Sequence, residues 1–212
     1  MNQSEYCYPN TNVLINKLGI TDAKKLEKTE RDLTGFRILQ LKKNPIRGSF
    51  DMEHLKEIHK YIFQDVYEWA GKLRHVDISK GIWFARHNYI PLEGQKLFFN
   101  LKRERYLADM PFDKFCERLA HYKTEINMLH PFREGNGRAI REFTRLLAAY
   151  NGYELKFPAK DKKKYLDVMI KSVNNTEPLK EFFKERLIQS ERVIPKDRIF
   201  IKKKDIDRGF ER

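Results

Sequence analysis

The sequence predicts an all-α fold that carries one small β-hairpin. Along most of the chain, apolar residues recur three or four positions apart, which is the spacing of one face of a helix. In residues 75–91 they alternate with polar residues instead, as they do in strands. The chain has 212 residues, of which 41% are hydrophobic, so it can bury a core without disulfides or structural metals.

Two helices are predicted in the N-terminal part of the chain. The first begins after Thr21 or Asp22, either of which can cap it, and runs to about Leu41. Its apolar residues share one side: Leu26, Leu33, Phe36 and Leu39. The second begins after Asp51 and ends at Gly71. Its apolar residues also follow helical spacing: Met52, Leu55, Ile58, Ile62, Phe63, Val66 and Trp69.

The hairpin is predicted where the period changes from helical to alternating. Val76 and Ile78 alternate with polar neighbours, Ser79-Lys80-Gly81 suits a turn, and Ile82 and Phe84 alternate again. It is the one good strand pair that the pattern indicates. Because a lone hairpin is marginally stable, we expect this segment, called the flap below, to pack on the helical body.

The rest of the chain predicts further helices at about 92–107, 112–128, 136–150, 161–173 and 178–190. Pro178 suits the first turn of the last one. Residues 191–212 are basic and lack a helical stripe, so they form either a tail or the start of a further domain. The expected domain is therefore 1–190, with its core at about 50–190 and a helical extension before it.

The net charge is +13, which suits an acidic partner such as a nucleotide, a nucleic acid or an acidic protein. The lysines are scattered, however, and neither zinc-finger spacing nor a single recognition helix accompanies them, so the sequence argues against nucleic acid. It also has no apolar run long enough to cross a membrane and no secretory signal. Two cysteines in a chain of this size indicate a reducing cytoplasm rather than a disulfide scaffold.

Residues 130–141, HPFREGNGRAIR, combine the residue types that bind phosphate. Two glycines and an asparagine mark the start of a helix: Gly135, Asn136 and Gly137. Glycine there lets the backbone turn tightly and lets a ligand approach the amides, and a helix N-terminus attracts anions. Arg138 and Arg141 lie three positions apart on one face of that helix, where guanidinium groups can pair with phosphate oxygens. The segment therefore predicts a polyphosphate site.

Two further side chains of this segment suit catalysis. Glu134 is its one carboxylate, a hard oxygen ligand of the kind that Mg²⁺ takes beside phosphates. His130 has the unperturbed pKa that suits proton transfer near neutral pH. Taken singly, each residue has an ordinary explanation as a helix end, a turn or a solvated face. If each residue had only its ordinary role, their occurrence together in twelve residues would require several coincidences. The combination therefore favours a catalytic nucleotide site.

The same segment resembles the signature of Fic-domain proteins, His-Pro-Phe-x-Asp/Glu-Gly-Asn-Gly-Arg-x-x-Arg, and fills every specified position. The resemblance extends to YIFQDVYEWAGKLRHVDISKG (61–81), which is similar to the family's helix and flap region, and it covers about residues 10–190. It implies an all-helical core with the flap over the active site. It also implies a protein adenylyltransferase, which transfers AMP from ATP to a Ser, Thr or Tyr hydroxyl of a target protein and releases pyrophosphate.

The resemblance implies a role for each residue of the motif. His130 would take the proton from the target hydroxyl, and Glu134 would hold Mg²⁺ against the α- and β-phosphates. Arg138 would bind phosphate, and Arg141 would engage the γ-phosphate. The anion hole would be formed by Gly135, Asn136 and Gly137. The flap would dock the target protein by main-chain pairing through Ile78, Ser79, Lys80, Gly81 and Ile82.

Three other interpretations remain open. Doc-type relatives transfer a phosphate and carry lysine near the second glycine, so Gly137 favours adenylylation; other Fic-like proteins use a different nucleotide or a phosphocholine donor. A non-catalytic nucleotide-binding module would need the glycine turn but not the base, so His130 and Glu134 weigh against it. A nucleic-acid-binding protein is supported by the net charge alone.

The sequence lacks the inhibitory pattern Ser/Thr-x-x-x-Glu-Gly/Asn found in many Fic proteins, and its nearest segment, Ser49–His54, ends in histidine. We therefore expect either a small antitoxin-like inhibitor supplied in trans, as in the toxin–antitoxin branch of the family, or a fragment of a secreted effector. The corresponding locations are the bacterial cytoplasm and, for an effector, the host cell.

Overall fold

The computed structural model describes residues 3–157 and 161–189. Its helices are α1 (Ala23–Lys43), α2 (Met52–Phe63), α3 (Ile90–Arg103), α4 (Phe112–Leu129), α5 (Asn136–Tyr150), α6 (Lys162–Lys171) and α7 (Glu177–Arg186). Two short strands, β1 (Tyr153–Leu155) and β2 (Leu187–Gln189), follow α5 and α7. The predicted all-α fold is confirmed, whereas the predicted tail at 191–212 lies outside the described residues.

The predicted starts of α1 and α2 are confirmed by their caps. The carboxylate of Asp22 accepts a hydrogen bond from the Lys25 N–H at 2.7 Å. The carboxylate of Asp51 accepts one from the His54 N–H at 2.9 Å. Each aspartate thereby satisfies one of the N–H groups that have no acceptor within the first turn of a helix.

The second helix ends earlier than predicted, at Phe63 rather than Gly71. Residues 64–71 form consecutive turns that fold the chain back against α2. A Cβ on Gly71 would lie 2.8 Å from the Lys60 Cβ, so only glycine allows this close approach. Val66 is fully buried although it lies outside the helix. Val66 is apolar because it is buried, not because it lies on a helix. Its spacing from the apolar residues of α2 therefore made the predicted helix too long.

The apolar side predicted for α1 is only partly buried. Leu26 is 5% exposed and belongs to the core, but Phe36 and Leu39 are 57% and 59% exposed. The apolar stripe of α1 is thus wider than the face that the rest of the described chain covers.

The strands differ from the prediction in place. β1 and β2 pair antiparallel, with Tyr153 opposite Gln189 and Leu155 opposite Leu187. The sequence pattern missed both strands and assigned 187–189 to a helix, because three-residue strands show too few alternations to detect. The flap forms its turn as predicted, but its ladder is limited to one bridge, between Ser79 and Trp83.

The core is built around α5, which packs against α2 and α4, and α4 also packs against α7. The fully buried side chains of α5 are apolar over most of its length: Ala139, Ile140, Phe143, Leu146, Leu147 and Ala148. This packing fixes the loop between α4 and α5, residues 130–135, at one end of the helical body. Among the described residues, none of the helices combines the length and the apolar character that a bilayer crossing requires.

Candidate active site

The loop between α4 and α5 is held in shape by its own buried groups. His130 ends α4 in the left-handed conformation, with φ of 45°, and its N–H still bonds to the Ile126 carbonyl. The Asn136 side chain then closes the loop, because its Oδ1 accepts the Phe132 N–H at 2.9 Å and its Nδ2 donates to the Phe132 carbonyl at 2.7 Å. The Asn136 side chain therefore stabilises the loop, and both of its polar atoms are hydrogen-bonded to the Phe132 backbone.

His59 of α2 packs against the loop between α4 and α5 and hydrogen-bonds to it. The sequence analysis did not single out this residue. Its ring stacks on that of Phe132, with centroids 3.8 Å apart. Its Nδ1 accepts the Gly71 N–H at 2.9 Å, so the proton is on Nε2, which donates to the Glu134 carbonyl at 2.9 Å. Burial lowers the pKa of His59 to about 4, which keeps the ring neutral in this role. On sequence alone His59 is one more polar residue on a helix, with no motif to mark it.

The imidazole of His130 is neutral, and one of its ring nitrogens is free to accept a proton. Its Nδ1 lies 3.0 Å from the Asn127 carbonyl, which can only accept, so Nδ1 carries the proton and Nε2 keeps its lone pair. The ring stacks on Phe84 of the flap, with centroids 3.7 Å apart and planes 16° from parallel. Burial, which leaves the residue 7% exposed, lowers the pKa of His130 to about 4.

Arg74 links the flap to the loop between α4 and α5. Its buried guanidinium donates to the His130 carbonyl at 2.8 Å, to the Val76 carbonyl at 2.6 Å and to the Ala85 carbonyl. Its own N–H bonds to the Pro131 carbonyl at 2.9 Å. Burial lowers the pKa of Arg74 from its usual value, and Asp77 partly offsets this. Arg74 is a second positioning residue, and no motif in the sequence marks it.

The two motif glycines serve different purposes. Gly135 has φ of +82°, and a Cβ there would lie 2.1 Å from the Phe63 ring, so packing and conformation both require glycine. Gly137, in the first turn of α5, has no heavy atom within 4 Å of its Cβ position apart from its chain neighbours and the backbone of its own helix. The N–H groups of Asn136 and Gly137 precede the first hydrogen bonds of the helix, in which the Arg138 and Ala139 N–H groups donate to the Gly135 carbonyl. Gly137 therefore keeps space open above a ready anion site.

Glu134 faces this anion site with its carboxylate about a third exposed, at 32%. Its Oε1 accepts the Gly135 N–H at 2.8 Å, and its Oε2 lies 3.5 Å from Nζ of Lys80 on the flap. Burial raises the pKa of Glu134, but Lys80, the Gly135 N–H and Arg138 outweigh it, so the net pKa is lowered and the group is ionised.

Glu134 fits a magnesium ion that is held mainly by substrate phosphates, because such an ion takes one or two protein carboxylates and completes its shell with phosphate oxygens and water. Among the described residues, histidine, cysteine and carboxylate side chains form no cluster of three that could hold a metal without phosphates.

The two motif arginines have different surroundings. Arg138 pairs with Glu30 of α1 at 2.5 Å, donates to the Thr34 hydroxyl at 3.0 Å and lies over the Phe63 ring. In the part of the chain that the structure describes, Arg141 pairs with no carboxylate, and its guanidinium lies 5.8 Å from the Tyr165 ring centre. Arg141 is thus the arginine with its charge still available to a ligand.

The structure divides the predicted flap residues into a buried base and an exposed tip. Ile78 is 6% exposed and packs with Val76 against Tyr6, so it anchors the flap. Four residues of the tip are exposed: Ser79, Lys80, Gly81 and Ile82. Next to them, Trp83 is 72% exposed, and sequence reasoning did not consider it.

Comparisons with known proteins agree with this geometry. The Fic/DOC family pattern matches residues 49–148. A probable protein adenylyltransferase Fic of Salmonella typhimurium is 44% identical over 152 residues, which are 71% of this chain and 74% of that protein. Protein adenylyltransferase VbhT of Bartonella schoenbuchensis is 44% identical over 151 residues, 71% of this chain; the match spans about a third of VbhT, 32%.

Among solved structures, the BepC protein of Bartonella tribocorum, a VirB-translocated effector with bound AMPPNP, superposes with a TM-score of 0.82 at 27% identity. The match covers 88% of this chain and 98% of that one. Fold, loop geometry and sequence similarity agree, and the chain belongs to the Fic/DOC family.

Proposed function

We propose that this chain is a protein adenylyltransferase that transfers AMP from ATP to a hydroxyl of a target protein. The observation that carries the proposal is the neutral His130 imidazole, with its Nε2 lone pair free for a proton, beside the ionised Glu134 and the open anion site at Gly137. A base, a carboxylate for a metal and a phosphate site are the groups that nucleotidyl transfer requires.

The reaction is an in-line displacement at the α-phosphorus. The target hydroxyl oxygen forms a bond to this phosphorus, the bond to the β-phosphate oxygen breaks, and pyrophosphate leaves. His130 takes the hydroxyl proton on Nε2, because Nδ1 already donates to the Asn127 carbonyl. Glu134 would hold Mg²⁺, which would supply positive charge to neutralise the phosphates of the nucleotide. The N–H groups at the start of α5 bind phosphate oxygens.

The two motif arginines are proposed to act differently on the phosphates. Arg138 is fixed by Glu30 and Thr34, so it contributes a stationary positive charge beside the anion site. Arg141 has no carboxylate partner among the described residues, so it is the one that can reach and orient the γ-phosphate. A triphosphate held this way leaves its α-phosphorus next to His130.

Phosphate transfer, as in the Doc-type branch, is the alternative that shares this site. The open space at Gly137 favours adenylylation, because a lysine there would fill it. The test is incubation of the purified chain with Mg²⁺, a cell lysate and ATP labelled on either the α- or the γ-phosphate, followed by mass spectrometry of labelled proteins. We expect label from the α-phosphate alone. Label from the γ-phosphate would assign the phosphotransfer reaction instead.

His130→Ala is the matched control for this assay. Loss of a general base typically lowers the rate by about 10²–10⁴, while nucleotide binding persists because the imidazole moves a proton and does not hold the phosphates. Undiminished transfer by His130→Ala would exclude the proposed mechanism.

The exposed flap tip is proposed as the docking site for the target protein. Its backbone makes one bridge, so its edge can pair with an extended target segment, while Trp83 and Ile82 offer apolar contacts. Ile82→Pro would remove an edge N–H without touching the buried base, so it should lower transfer to the target and leave ATP binding intact. Equal loss of both would mean that the flap only covers the site.

The setting proposed for this activity is a bacterial one. A toxin restrained by a small inhibitor in trans is proposed because the sequence lacks the inhibitory pattern, and an effector delivered to a host cell is proposed as the alternative because the similar BepC protein is a VirB-translocated effector. The donor is proposed to be ATP with Mg²⁺; the same fold accommodates other nucleotides, and competition with the unlabelled nucleotides distinguishes them.

A further inference from the structure

Lys123 lies in the interior of the protein, and the mechanism above does not use it. It is 2% exposed, and it precedes His130 by about two turns of α4, which returns it to nearly the same side of the helix. α5 packs along α4, so the helix that carries the motif arginines lies beside it.

Lys123 and Arg141 share one aromatic ring. The Lys123 ammonium lies 5.8 Å from the centre of the Tyr165 ring, and the Arg141 guanidinium carbon lies 5.8 Å from the same centre. Within residues 3–157 and 161–189, neither cation has a carboxylate partner. Two basic groups of the described chain, one of them buried, thus lie beside the same aromatic ring.

This arrangement is unfavourable without an anion. A buried ammonium loses its hydration, and a second cation nearby repels it, whereas a cation–π contact compensates only in part. Burial first, and then Arg141, lowers the pKa of Lys123 well below its usual range. An aliphatic side chain of similar length would fill the same space without this cost, so stability does not explain a lysine here.

We propose that Lys123 contacts the terminal phosphate of the bound nucleotide beside Arg141 and so makes the site prefer a nucleoside triphosphate to a diphosphate. The inference rests on the proposed function, in which Arg141 engages the γ-phosphate. The ammonium would also neutralise charge on the pyrophosphate as the bond to the α-phosphorus breaks.

The test compares two nucleotide analogues that cannot lose AMP, α,β-methylene-ATP and α,β-methylene-ADP, each with Mg²⁺. Their affinities are measured by calorimetry for the full chain and for Lys123→Met, with melting temperatures recorded for both. We expect Lys123→Met to bind the triphosphate on the order of 10-fold more weakly, as for a lost charged hydrogen bond, and the diphosphate almost unchanged. Its melting temperature should stay the same or rise, because a desolvated charge is removed.

Controls separate this inference from the proposed function. Lys114→Met removes an exposed lysine of the same helix and should change neither affinity. Lys123→Gln serves as a second variant should Lys123→Met fold poorly, and it should show the same selective loss. An unchanged triphosphate preference, or a parallel loss of both affinities with a lower melting temperature, would overturn the role of Lys123 alone. Failure of the unmodified chain to bind either analogue would overturn the proposed function together with it.

Discussion

The imidazole of His130 and the ring of Phe84 lie face to face, with centroids 3.7 Å apart and planes 16° from parallel. Phe84 belongs to the flap and His130 to the loop after α4, so this contact joins the element proposed to dock the target to the base that would act on it. The stack also excludes water from one face of the imidazole, which contributes to the burial that keeps it neutral.

Phe84→Ala is therefore expected to lower AMP transfer more than ATP binding. The substitution removes the ring that fixes the imidazole plane, and a misplacement of about 1 Å can lower a rate by roughly 100-fold. Parallel assays of label transfer and nucleotide affinity measure the two effects. Phe84→Tyr keeps the stack and should retain most of the activity; equal activity of Phe84→Ala would show that the stack does not orient the base.

The stability of the fold is expected to fall as the pH drops from 6.5 towards 4. His130 and His59 each have a pKa of about 4 in the folded state, against 6.5 for the unfolded reference, so the unfolded chain binds more protons in this window. Each group should lower the free energy of unfolding by about 3 kcal/mol at pH 4 relative to pH 7.

Urea denaturation at several pH values measures this dependence. His130→Ala should show a shallower fall between pH 6.5 and 4, because one of the two proton-linked groups is gone. The lowered pKa of His130 also predicts the pH dependence of catalysis. The fall of kcat/KM at acid pH should begin well below pH 6.5, because His130 of the free enzyme stays unprotonated there.

The two motif glycines are expected to respond oppositely to alanine. Gly135→Ala places a Cβ 2.1 Å from the Phe63 ring at φ of +82°, so it should destabilise the protein by several kcal/mol. Gly137→Ala meets no atom and lies in a helix, where alanine is favoured by about 1 kcal/mol. It should keep or raise the melting temperature and weaken ATP binding, because its methyl group enters the anion site. Intact ATP affinity in Gly137→Ala would place the phosphates elsewhere.

Arg74→Met should destabilise the flap and the catalytic loop together. The buried carbonyls of His130, Val76 and Ala85 would lose their donor, at about 1–3 kcal/mol for each unsatisfied group. A lower melting temperature and faster hydrogen exchange at 75–85 would register the loss. Arg133→Met is the matched control, since Arg133 makes no hydrogen bond within the described residues and should be tolerated.

Expression of the chain in bacteria is expected to slow growth, and His130→Ala to relieve the effect. The proposed restraint is a small helical protein carrying Ser/Thr-x-x-x-Glu-Gly/Asn, whose glutamate would pair with Arg141 and occupy the γ-phosphate position. Its Glu→Gly variant should bind with similar affinity but fail to inhibit. Growth that is unaffected by the unmodified chain, together with activity gained on removal of 191–212, would show that the restraint is internal.

The fold could be predicted from local sequence where one interaction dominates. The caps Asp22 and Asp51 and the glycine turn before α5 are each determined by neighbouring residues, and those helix starts agree with the structure. α2 ends early because its apolar stripe continues through turns that are equally buried. The alternation of apolar and polar residues in the flap comes from its buried base and exposed tip. It does not come from a long ladder of strand hydrogen bonds, since the flap forms one bridge.

The site likewise contains residues that the sequence marks and residues that it does not. The motif marks His130, Glu134 and the arginines by type and spacing, because the proposed nucleotide chemistry requires those residue types. The residues that position them do not share this signal. His59 acts through two backbone groups, and Arg74 acts through four carbonyls, those of Val76, Ala85, Leu129 and His130. These partners become known only when the chain is folded.

The ion pair between Glu30 and Arg138 has a consequence for where this domain is cut. The family pattern begins at residue 49, so an expression fragment designed from it would omit α1 and with it Glu30. Arg138 would then lose its carboxylate, and the Tyr67 hydroxyl that also binds Glu30 would lose its acceptor. The first helix, which the motif does not mention, thus belongs to the smallest fragment in which the nucleotide site can be assayed, and homologues should be compared at this pair as well as at the motif.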